Sequence, residues 1–303
     1  MNRRAPAVTV RAPAKINLHL GVGAPREDGF HPLDTVYQAI GVHDDLTAVH
    51  SRVPKLDVQV AAHIDASAVP SSGSNIVDAA ALALAGLHVR PVLADLTLHK
   101  SIPVAGGMAG GSADAAAALV ALDRLHELGT SDEDLLRLAA DLGSDVPFAL
   151  VGGSAHGTGR GEIVRPVTDR GSWWWVVVPN RTGLSTPAVY RHFDRLHPDA
   201  PARPPSAAPV IEALASGHAL RLARALHNDL QEPAIDLRPE LGALLSRGEM
   251  AGALRGIVTG SGPTCVFLCE SAPEARAVAA ELAAHHEVVL IATGPVAGAH
   301  VVS

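Results

Sequence analysis

A stretch almost bare of side chains lies in the first half of the chain and runs directly into a helical pattern. It reads Pro-Val-Ala-Gly-Gly-Met-Ala-Gly-Gly-Ser-Ala-Asp-Ala-Ala from Pro103 to Ala116, and the alanine-rich pattern continues to Leu128. A bare backbone that opens a helix presents free N–H groups and the positive end of the helix dipole, and both attract anions. The stretch therefore predicts a phosphate-binding loop, with a tight turn against a sheet as the alternative.

The order of residues in this loop excludes the two commonest phosphate-binding motifs. A Walker A loop contains Gly-Lys-Ser/Thr, and this loop has no lysine. The dinucleotide fingerprint Gly-x-Gly-x-x-Gly does not fit, because Ala105 and Met108 flank the Gly106-Gly107 pair. We expect a phosphate loop of another class, formed by Pro103, Val104, Ala105, Gly106, Gly107, Met108, Ala109, Gly110, Gly111, Ser112 and Ala113.

Four further segments accompany the loop. They are Ala-Pro-Ala-Lys-Ile-Asn-Leu at 12–18, Asp-Gly-Phe-His-Pro-Leu at 28–33, Leu-Gly-Ser-Asp-Val-Pro at 142–147 and Thr-Gly-Ser-Gly-Pro-Thr at 259–264. Together with the loop they resemble the motifs of the GHMP kinases, the superfamily of galactokinase and of homoserine, mevalonate and phosphomevalonate kinases. Most of that superfamily has Gly-Leu-Gly-Ser-Ser-Ala in the loop, whereas glycines replace the two serines here. This variant resembles the branch whose acceptor carries a cytidine diphosphate.

The resemblance implies an ATP-dependent small-molecule kinase of isoprenoid precursor synthesis, with ATP and Mg²⁺ as cofactors. The implied acceptor is 4-diphosphocytidyl-2-C-methyl-D-erythritol, phosphorylated on its 2-hydroxyl. Another GHMP kinase, of the mevalonate or homoserine type, and an inactive GHMP-fold binding protein are the alternatives. The segment Asp28–His31 together with Tyr190 favours the cytidine-linked acceptor, because the other kinases do not need a cytosine slot. Lys15, Asp145 and the intact loop favour an active enzyme.

Phosphoryl transfer needs positioning, charge stabilisation and a group that takes the acceptor's proton. Asp145 matches the catalytic aspartate of the family and is the candidate base. Its alternative role is the N-cap of the short segment 146–151, with Pro147 in the first turn. Lys15 matches the family's catalytic lysine and would stabilise the developing alkoxide; its alternative is a strand-edge lysine in water.

The resemblance also implies a slot for the cytosine ring. Phe30 and Tyr190 would sandwich the base, and His31 would bind its hydrogen-bonding edge. Asn17 and Thr186 complete the residues expected to bind the acceptor. Ordinary core packing is the alternative for the two aromatic residues.

On the nucleotide side, Asn75 and Lys100 match positions that flank adenine in the family. Asn75 fits equally well as the N-cap of its own helix. We expect Mg²⁺ with ATP, but the glycines that replace the serine pair cannot bind it through a side chain, so no protein ligand is predicted. Ala113, where many relatives have serine, removes one further phosphate donor.

The composition argues against other classes of partner. The net charge of −7 disfavours nucleic acid, which requires a basic face. The longest apolar runs, such as 115–122 and 173–179, are far shorter than the ~18 residues of a membrane span. The two cysteines, Cys265 and Cys269, read as reduced thiols, and Arg11 interrupts any N-terminal apolar region. We therefore expect a cytoplasmic protein with no membrane partner and no structural metal.

The pattern of strands and helices predicts an α+β protein of two domains. The alternation of Ile16, Leu18 and Leu20 with polar residues predicts a strand that places Lys15, Asn17 and His19 on one face. We expect a mixed domain over 1–165, which the resemblance implies is similar to ribosomal S5 domain 2. Over 166–303 the order β-α-β-β-α-β predicts a ferredoxin-like domain, with extra helices in its first crossover. The proline-rich segment 197–209 is expected to be a loop or lid.

Overall fold

The structure is a computed structural model that describes residues 6–64, 75–104, 106–180 and 183–303. Its first half contains β1 (Ala7–Val22), β2 (Leu33–His50), β3 (Leu56–Val60), α1 (Ile76–His88), β4 (Ala94–Lys100), α2 (Gly110–Leu125), α3 (Asp132–Leu142), α4 (Val146–Val151), β5 (Ser154–Gly159) and β6 (Ile163–Pro166). Its second half contains β7 (Trp173–Val178), α5 (Thr186–Leu196), α6 (Ala208–Ser216), α7 (Ala219–Ala225), β8 (His227–Asn228), α8 (Gln231–Leu237), α9 (Glu240–Met250), β9 (Arg255–Val258), β10 (Cys265–Cys269), α10 (Ala272–Ala283), β11 (Leu290–Gly294) and β12 (His300–Val301). The predicted α+β class is confirmed.

Strand β1 pairs with β12, β2 and β8 in the larger sheet, whose main order is β12-β1-β2-β4-β3. Its apolar residues alternate into the core, and Val10, Ala12 and Ile16 are fully buried. A register shift after Asn17 marks a β-bulge in the pairing with β2. His19 lies beyond this bulge, and its Nε2 bonds to the carbonyl of Pro205 instead of joining the polar residues before it.

Most of strand β2 was not predicted from the sequence. Asp34, Gln38 and Asp44 interrupt its apolar pattern, and period-two alternation is the signal that identifies a half-buried strand. Gln38 and Asp44 are nevertheless fully buried. Their polar atoms have partners, among them Trp175 for Gln38 and Lys100 for Asp44. Burial with satisfied hydrogen bonds is tolerated, and it hides the strand from a hydropathy argument.

Helix α2 lies against this sheet through a face of small side chains. Its run of alanines from Ala115 to Ala118 is fully buried together with Leu119. Alanine has no side chain beyond Cβ, so the helix axis approaches the sheet closely and most of the helix is covered. The close packing fixes where the helix begins, and therefore where the glycine-rich loop lies.

The second sheet has the strand order β11-β7-β10-β9, and all its neighbouring strands are antiparallel. In chain order these strands and their helices form β-α-β-β-α-β, with α5 to α9 and β8 inserted in the first crossover. The ferredoxin-like arrangement is therefore confirmed. Trp173 and Trp175 of β7 are buried on one face and Val176 and Val178 on the other, so the strand is covered on both faces and is not an exposed stacking surface.

Two short strands from the second half of the chain pair with β1 of the first. β8 pairs with it in parallel and β12 pairs antiparallel. A buried polar network also joins the sheets, because Gln38 Nε2 donates to Asp169 at 3.0 Å and Trp175 Nε1 donates to Gln38 at 2.8 Å. The domain boundary near residue 165 stays a prediction. Strands β8 and β12, which follow it in the sequence, return to pair with β1, which precedes it.

The proline-rich segment 197–209 is bonded to β1 and the residues after it. Ala24 N donates to Pro201 O at 2.9 Å, and His19 Nε2 lies 3.1 Å from Pro205 O. Burial foremost lowers the pKa of His19, so the neutral ring donates this bond.

Within the described ranges, no helix is both long and apolar enough to cross a bilayer.

Candidate active site

Lys15 and Asp145, predicted as the catalytic pair, meet at the junction of β1 and α4. Lys15 Nζ lies 3.7 Å from Asp145 Oδ2, and the lysine side chain is almost fully buried whereas about a third of the aspartate side chain is exposed. A buried ammonium beside an accessible carboxylate can act on a hydroxyl that enters from the cleft. The geometry therefore supports a base with a cation next to it.

Asp145 occupies the N-cap position of α4, with a proline in the first turn, but its side chain caps no described backbone group of that helix. The carboxylate faces Lys15 instead. The side chain of Asp145 therefore does not perform the N-cap role that the sequence left open, and its partners are Lys15 and Tyr37.

Asn17 was predicted to bind the acceptor, and the structure places it on Lys15. Its Oδ1 accepts a hydrogen bond from Lys15 Nζ at 2.6 Å, and its Nδ2 donates to Thr35 Oγ1 at 2.9 Å. Its backbone N donates to Thr259 Oγ1 at 2.9 Å. Because both ends of the amide are bonded, Asn17 holds the ammonium in one position.

Tyr37 is a neighbour of the predicted catalytic pair that sequence reasoning missed. Lys15 Nζ lies 5.5 Å from the centroid of its ring, within the range of a cation–π contact. Burial foremost, and then the charge of Asp145, raise the pKa of Tyr37 well above its usual value. The phenol is therefore neutral and can donate a hydrogen bond. It was missed because it lies in the part of β2 that was not predicted.

The glycine-rich loop leads into α2 through a left-handed residue. Ala109 has φ 57° and precedes the helix, and the first intrahelical bond runs from Ala113 N to Ala109 O at 2.9 Å. The N–H groups of Gly110, Gly111 and Ser112 therefore have no acceptor within the helix. They form a donor set at the positive end of the helix dipole, which suits phosphate.

The glycines of the loop serve different purposes. A Cβ on Gly107 would lie 2.6 Å from Thr259 O, and one on Gly106 would lie 2.7 Å from Thr264 Oγ1. These two glycines allow the loop to pack against the segment 259–264, so a substitution there would disturb packing. A Cβ on Gly111, by contrast, meets no described atom within 4 Å. Gly111 is the open position at the start of the helix.

The other loop residues contribute mainly to packing. Met108 and Ala113 are fully buried in the core, and Pro103 is buried beside them. The carbonyl of Met108 accepts the backbone N–H of Lys15 at 3.2 Å, which ties the loop to β1. Ala105 lies outside the described residues.

Lys100, predicted to flank adenine, lies beneath the loop with its ammonium between two buried aspartate side chains. Its Nζ is 2.7 Å from Asp44 Oδ2 and 2.6 Å from Asp114 Oδ2. Asp44 Oδ1 also accepts the backbone N–H groups of Ser101 and Ile102, the residues that lead into the loop. The cluster supports the loop from below.

Asn75 caps α1, as the alternative interpretation allowed. Its Oδ1 accepts the N–H of Val77 at 3.2 Å. Asn75 also lies at the edge of a cavity of about 560 Å³ between α1 and the edge formed by β3 and β4. Its predicted contact with adenine, like that of Lys100, stays a prediction.

Four of the five residues predicted to hold the acceptor line one cavity of about 440 Å³, namely Phe30, His31, Thr186 and Tyr190, whereas Asn17 does not line it. Phe30 is a half-exposed lining residue, Tyr190 lines the cavity from α5, and Ser144 brings the cavity to the residue next to Asp145. Burial foremost, and then Asp145, raise the pKa of Tyr190, so it too is a neutral phenol. Leu33, Arg160, Arg191 and Asp194 complete the lining with residues that were not predicted.

His31 is held firmly within this cavity. Its Nδ1 bonds to Gly23 O at 2.8 Å, its Nε2 lies 3.5 Å from Asp194 Oδ1, and its ring centroid is 4.9 Å from that of Tyr190. Since a carbonyl can only accept, Nδ1 carries a proton. The ring orientation is thus fixed before any ligand binds.

The glycine motif at 259–264 closes the site from the second half of the chain. A Cβ on Gly260 would lie 3.5 Å from both Lys15 Nζ and Asn17 Oδ1, so its backbone covers the catalytic pair. Ser261 Oγ lies 2.7 Å from Thr186 Oγ1 at the start of α5. The motif therefore joins the loop, the lysine and the acceptor cavity. Thr259, inside a quoted motif, could have been singled out from the sequence.

Two family descriptions match this chain. Residues 75–153 match the GHMP kinases N terminal domain, and residues 210–288 match the GHMP kinases C terminal domain. The first match contains the glycine-rich loop and Asp145, and the second contains the motif at 259–264.

The chain is also similar over nearly its whole length to curated proteins named 4-diphosphocytidyl-2-C-methyl-D-erythritol kinase. One from Nocardioides sp. is 66% identical, with 97% of this chain and 99% of the relative covered. Another from Nocardia farcinica is 53% identical, with 97% and 96% covered.

Among solved structures, a crystal structure of 4-(cytidine 5'-diphospho)-2C-methyl-D-erythritol kinase superposes with a TM-score of 0.78 at 31% identity. It covers 94% of this chain and 98% of that one. Leishmania major mevalonate kinase in complex with R-mevalonate has a TM-score of 0.75 at 16% identity, with 95% and 96% covered, and shares the fold. The fold and the site define a two-domain, ATP-dependent small-molecule kinase of the GHMP type. Within that class, the chain belongs to the family of 4-diphosphocytidyl-2-C-methyl-D-erythritol kinases.

Proposed function

We propose that this protein transfers the γ-phosphoryl group of ATP to the 2-hydroxyl of 4-diphosphocytidyl-2-C-methyl-D-erythritol. The observation that carries the proposal is one continuous cavity. It is lined by Phe30, Tyr190 and Ser144, and Ser144 directly precedes Asp145, whose carboxylate lies 3.7 Å from the buried ammonium of Lys15. An acceptor with a flat base at one end and a hydroxyl at the other matches this arrangement.

The base of the acceptor lies between Phe30 and Tyr190 in this proposal, with His31 along its edge. Phe30 is half exposed, so a flat ring that stacks on it buries apolar surface at little cost in side-chain entropy. The fixed ring of His31 offers hydrogen bonding from a preformed position, which favours one base edge over others.

At the other end, the carboxylate of Asp145 accepts the proton of the 2-hydroxyl as its oxygen attacks the γ-phosphorus of ATP. ADP leaves as the new ester bond forms. Lys15 stabilises the negative charge that develops on the attacking oxygen and the transferring phosphoryl group. Asn17 acts on Lys15, because its amide oxygen keeps the ammonium in place.

The phosphates of ATP bind the first turn of α2 in this proposal. The N–H groups of Gly110, Gly111 and Ser112 point out of the helix end, and the exposed surface at Gly111 leaves room for an anion to approach. The loop backbone bonds to the backbone N–H of Lys15 itself, so the γ-phosphate and the ammonium are brought to the same place.

The residues fit a Mg²⁺ ion that is bound chiefly through ATP and water. Within the described ranges, no group of three or more histidine, cysteine or acidic residues could hold a metal alone. A site with few protein ligands suits Mg²⁺, because this ion usually keeps several waters and binds substrate phosphates. Ser112 and Asp145 are the oxygen-bearing side chains of the site that would hold it. When bound, the ion neutralises charge on the β- and γ-phosphates.

We also propose a cytoplasmic location. Both cysteines, Cys265 and Cys269, are free thiols buried in β10, and unpaired thiols are typical of a reducing compartment. Cell fractionation of the source organism tests this, and recovery in a secreted fraction would contradict it.

An ATP-consumption assay with three acceptors tests the proposed reaction. We expect turnover with 4-diphosphocytidyl-2-C-methyl-D-erythritol and none above background with mevalonate or homoserine. The phosphorylated position is then read by phosphorus–proton correlation in NMR, which should assign the new ester to the 2-hydroxyl. Turnover of mevalonate or homoserine in its place would support another kinase of the class, and ATP binding without turnover of any acceptor would support a binding protein.

A further inference from the structure

Arg160 lies in the turn between β5 and β6 and connects the two ends of the acceptor cavity. Its guanidinium carbon is 5.0 Å from the centroid of the Phe30 ring. The next residue, Gly161, has its carbonyl 3.5 Å from the hydroxyl of Tyr37, whose ring faces Lys15. The turn therefore reaches from the wall proposed for the base to the tyrosine beside the catalytic pair.

The guanidinium of Arg160 has N–H donors that its protein contacts do not use. Within the described ranges, the anion at ion-pair distance is Glu162, with Arg160 Nε 3.7 Å from its Oε1. The other oxygen of Glu162 accepts the backbone N–H of Arg160 at 2.6 Å. Arginine has five N–H donors in a planar fork, and 38% of this side chain is exposed. Several donors are thus open to a ligand in the cavity.

We propose that Arg160 binds the diphosphate of the acceptor and so selects acceptors linked to a nucleoside diphosphate. The assignment rests on the proposed function, because it places the base at Phe30 and the reacting hydroxyl at Asp145. The diphosphate joins those two ends, and Arg160 lines the same cavity as Phe30 and Ser144. A guanidinium fork matches two phosphate oxygens at once. It can keep its contact with the Phe30 ring while doing so, which couples the base wall to the phosphate.

A second arginine of the cavity, Arg191, is a weaker candidate. It lies on the exposed side of α5, and no described side chain or ring holds its guanidinium. Arg160 is already held by Phe30 and Glu162. A side chain that is ordered before binding loses less conformational entropy when the ligand arrives. Arg160 therefore contributes more to affinity.

The test compares ligands with and without phosphate on Arg160→Met and on a matched control, Arg165→Met. Arg165 is an exposed arginine of the neighbouring β6 and does not line the cavity. Dissociation constants of cytidine and of cytidine diphosphate are measured by NMR titration. We expect Arg160→Met to weaken cytidine diphosphate by about 10- to 100-fold, the loss typical of charge-assisted hydrogen bonds. Cytidine should be nearly unaffected, and Arg165→Met should bind both as the unchanged protein does.

Three results would overturn the assignment. An equal loss for cytidine and cytidine diphosphate would mean that Arg160 only supports Phe30. Unchanged affinity for cytidine diphosphate would mean that it does not touch phosphate. Failure of the unchanged protein to bind either ligand would contradict the proposed function as well, which separates the two failures. Arg160→Lys keeps the charge without the fork and should fall between the two proteins, and it replaces Arg160→Met if that variant does not fold.

Discussion

The carboxylate of Asp145 faces an ammonium and a neutral phenol instead of capping the helix that it precedes. Asp145→Asn keeps the shape but cannot accept the proton. We expect kcat to fall by about 10²- to 10⁴-fold, with KM for both substrates changed only slightly. The melting temperature should stay close to that of the unchanged protein, because no capping bond is lost.

Steady-state kinetics and thermal unfolding of Asp145→Asn check this prediction, with Asp141→Asn as the control. Asp141 is an exposed carboxylate on the preceding helix, α3. A variant with normal kcat and a much lower melting temperature would make Asp145 a structural residue.

Lys15→Met should damage turnover to a similar degree, because the ammonium stabilises charge only as the carboxylate activates the hydroxyl. The two groups act as one unit, so the double variant with Asp145→Asn should lose much less than the product of the two single losses. A double-mutant cycle on kcat measures this. Losses that simply multiply would show that the two residues act independently.

Individual residues could be predicted where they lie in a motif. Lys15, Asp145 and Phe30 were singled out because they match family positions, and the structure brings them to one cleft. Tyr37 and Arg160 could not be found in this way. Tyr37 reaches the site through the pairing of β2 with β1, and Arg160 through a turn that carries no other signal than its glycines. Contacts between residues distant in sequence have no local pattern.

At the scale of elements, a substitution of Gly111 at the start of α2 should change stability and ATP affinity in opposite directions. Gly111→Ala adds a methyl group where no described atom lies within 4 Å. It should stabilise the protein by about 0.4–1 kcal/mol, since alanine restricts the unfolded chain. It should also weaken ATP binding by about tenfold or more, because phosphate can no longer approach the N–H groups closely.

Calorimetry with ATP and thermal unfolding measure the two effects, and Gly86→Ala is the control. Gly86 also has open space at its Cβ but lies on α1, so this variant should gain stability without loss of ATP affinity. Normal ATP affinity in Gly111→Ala would show that the loop is structural.

The buried cluster beneath the loop gives a prediction for pH. Burial foremost raises the pKa of Asp114 well above its usual value, although Lys100 opposes the shift. The folded state therefore holds a proton that the unfolded state releases above about pH 4. Stability should fall as the pH rises from there through the folded pKa. Asp114→Asn keeps an oxygen for Lys100 and removes the titrating group, so its stability should decline less.

Melting temperatures of both proteins between pH 5 and 8 test this. The melting temperature of Asp114→Asn relative to that of the unchanged protein should rise with pH. Parallel curves would show that Asp114 keeps an ordinary pKa in the folded state.

Elements with a clear period or cap were predicted well, and those stabilised by distant partners were not. Asn75 opens α1, and the strands of the second sheet follow the order expected from the sequence. Most of strand β2 was missed because its buried polar residues find partners on other strands. The sequence also could not show that the loop needs glycine at 106 and 107 because it packs against the segment 259–264.

At the scale of the whole molecule, the site exists because both halves of the chain contribute to one cleft. Lys15 and Asp145 come from the first half, whereas Tyr190 and the motif at 259–264 come from the second. The strands β8 and β12 return to β1, and the Gln38 network joins the sheets. Such pairings depend on chain closure over long distances, so the sequence indicated the two domains but not how they interlock.

The measurement that tests the central claim most directly is the dependence of turnover on the cytidine diphosphate part of the acceptor. The value of kcat/KM is compared for 4-diphosphocytidyl-2-C-methyl-D-erythritol and for 2-C-methyl-D-erythritol 4-phosphate, which has the same reacting hydroxyl. Binding energy from the remote base and diphosphate positions that hydroxyl, so we expect the shorter acceptor to be worse by about 10⁴-fold or more. Equal values of kcat/KM for the two acceptors would contradict the account.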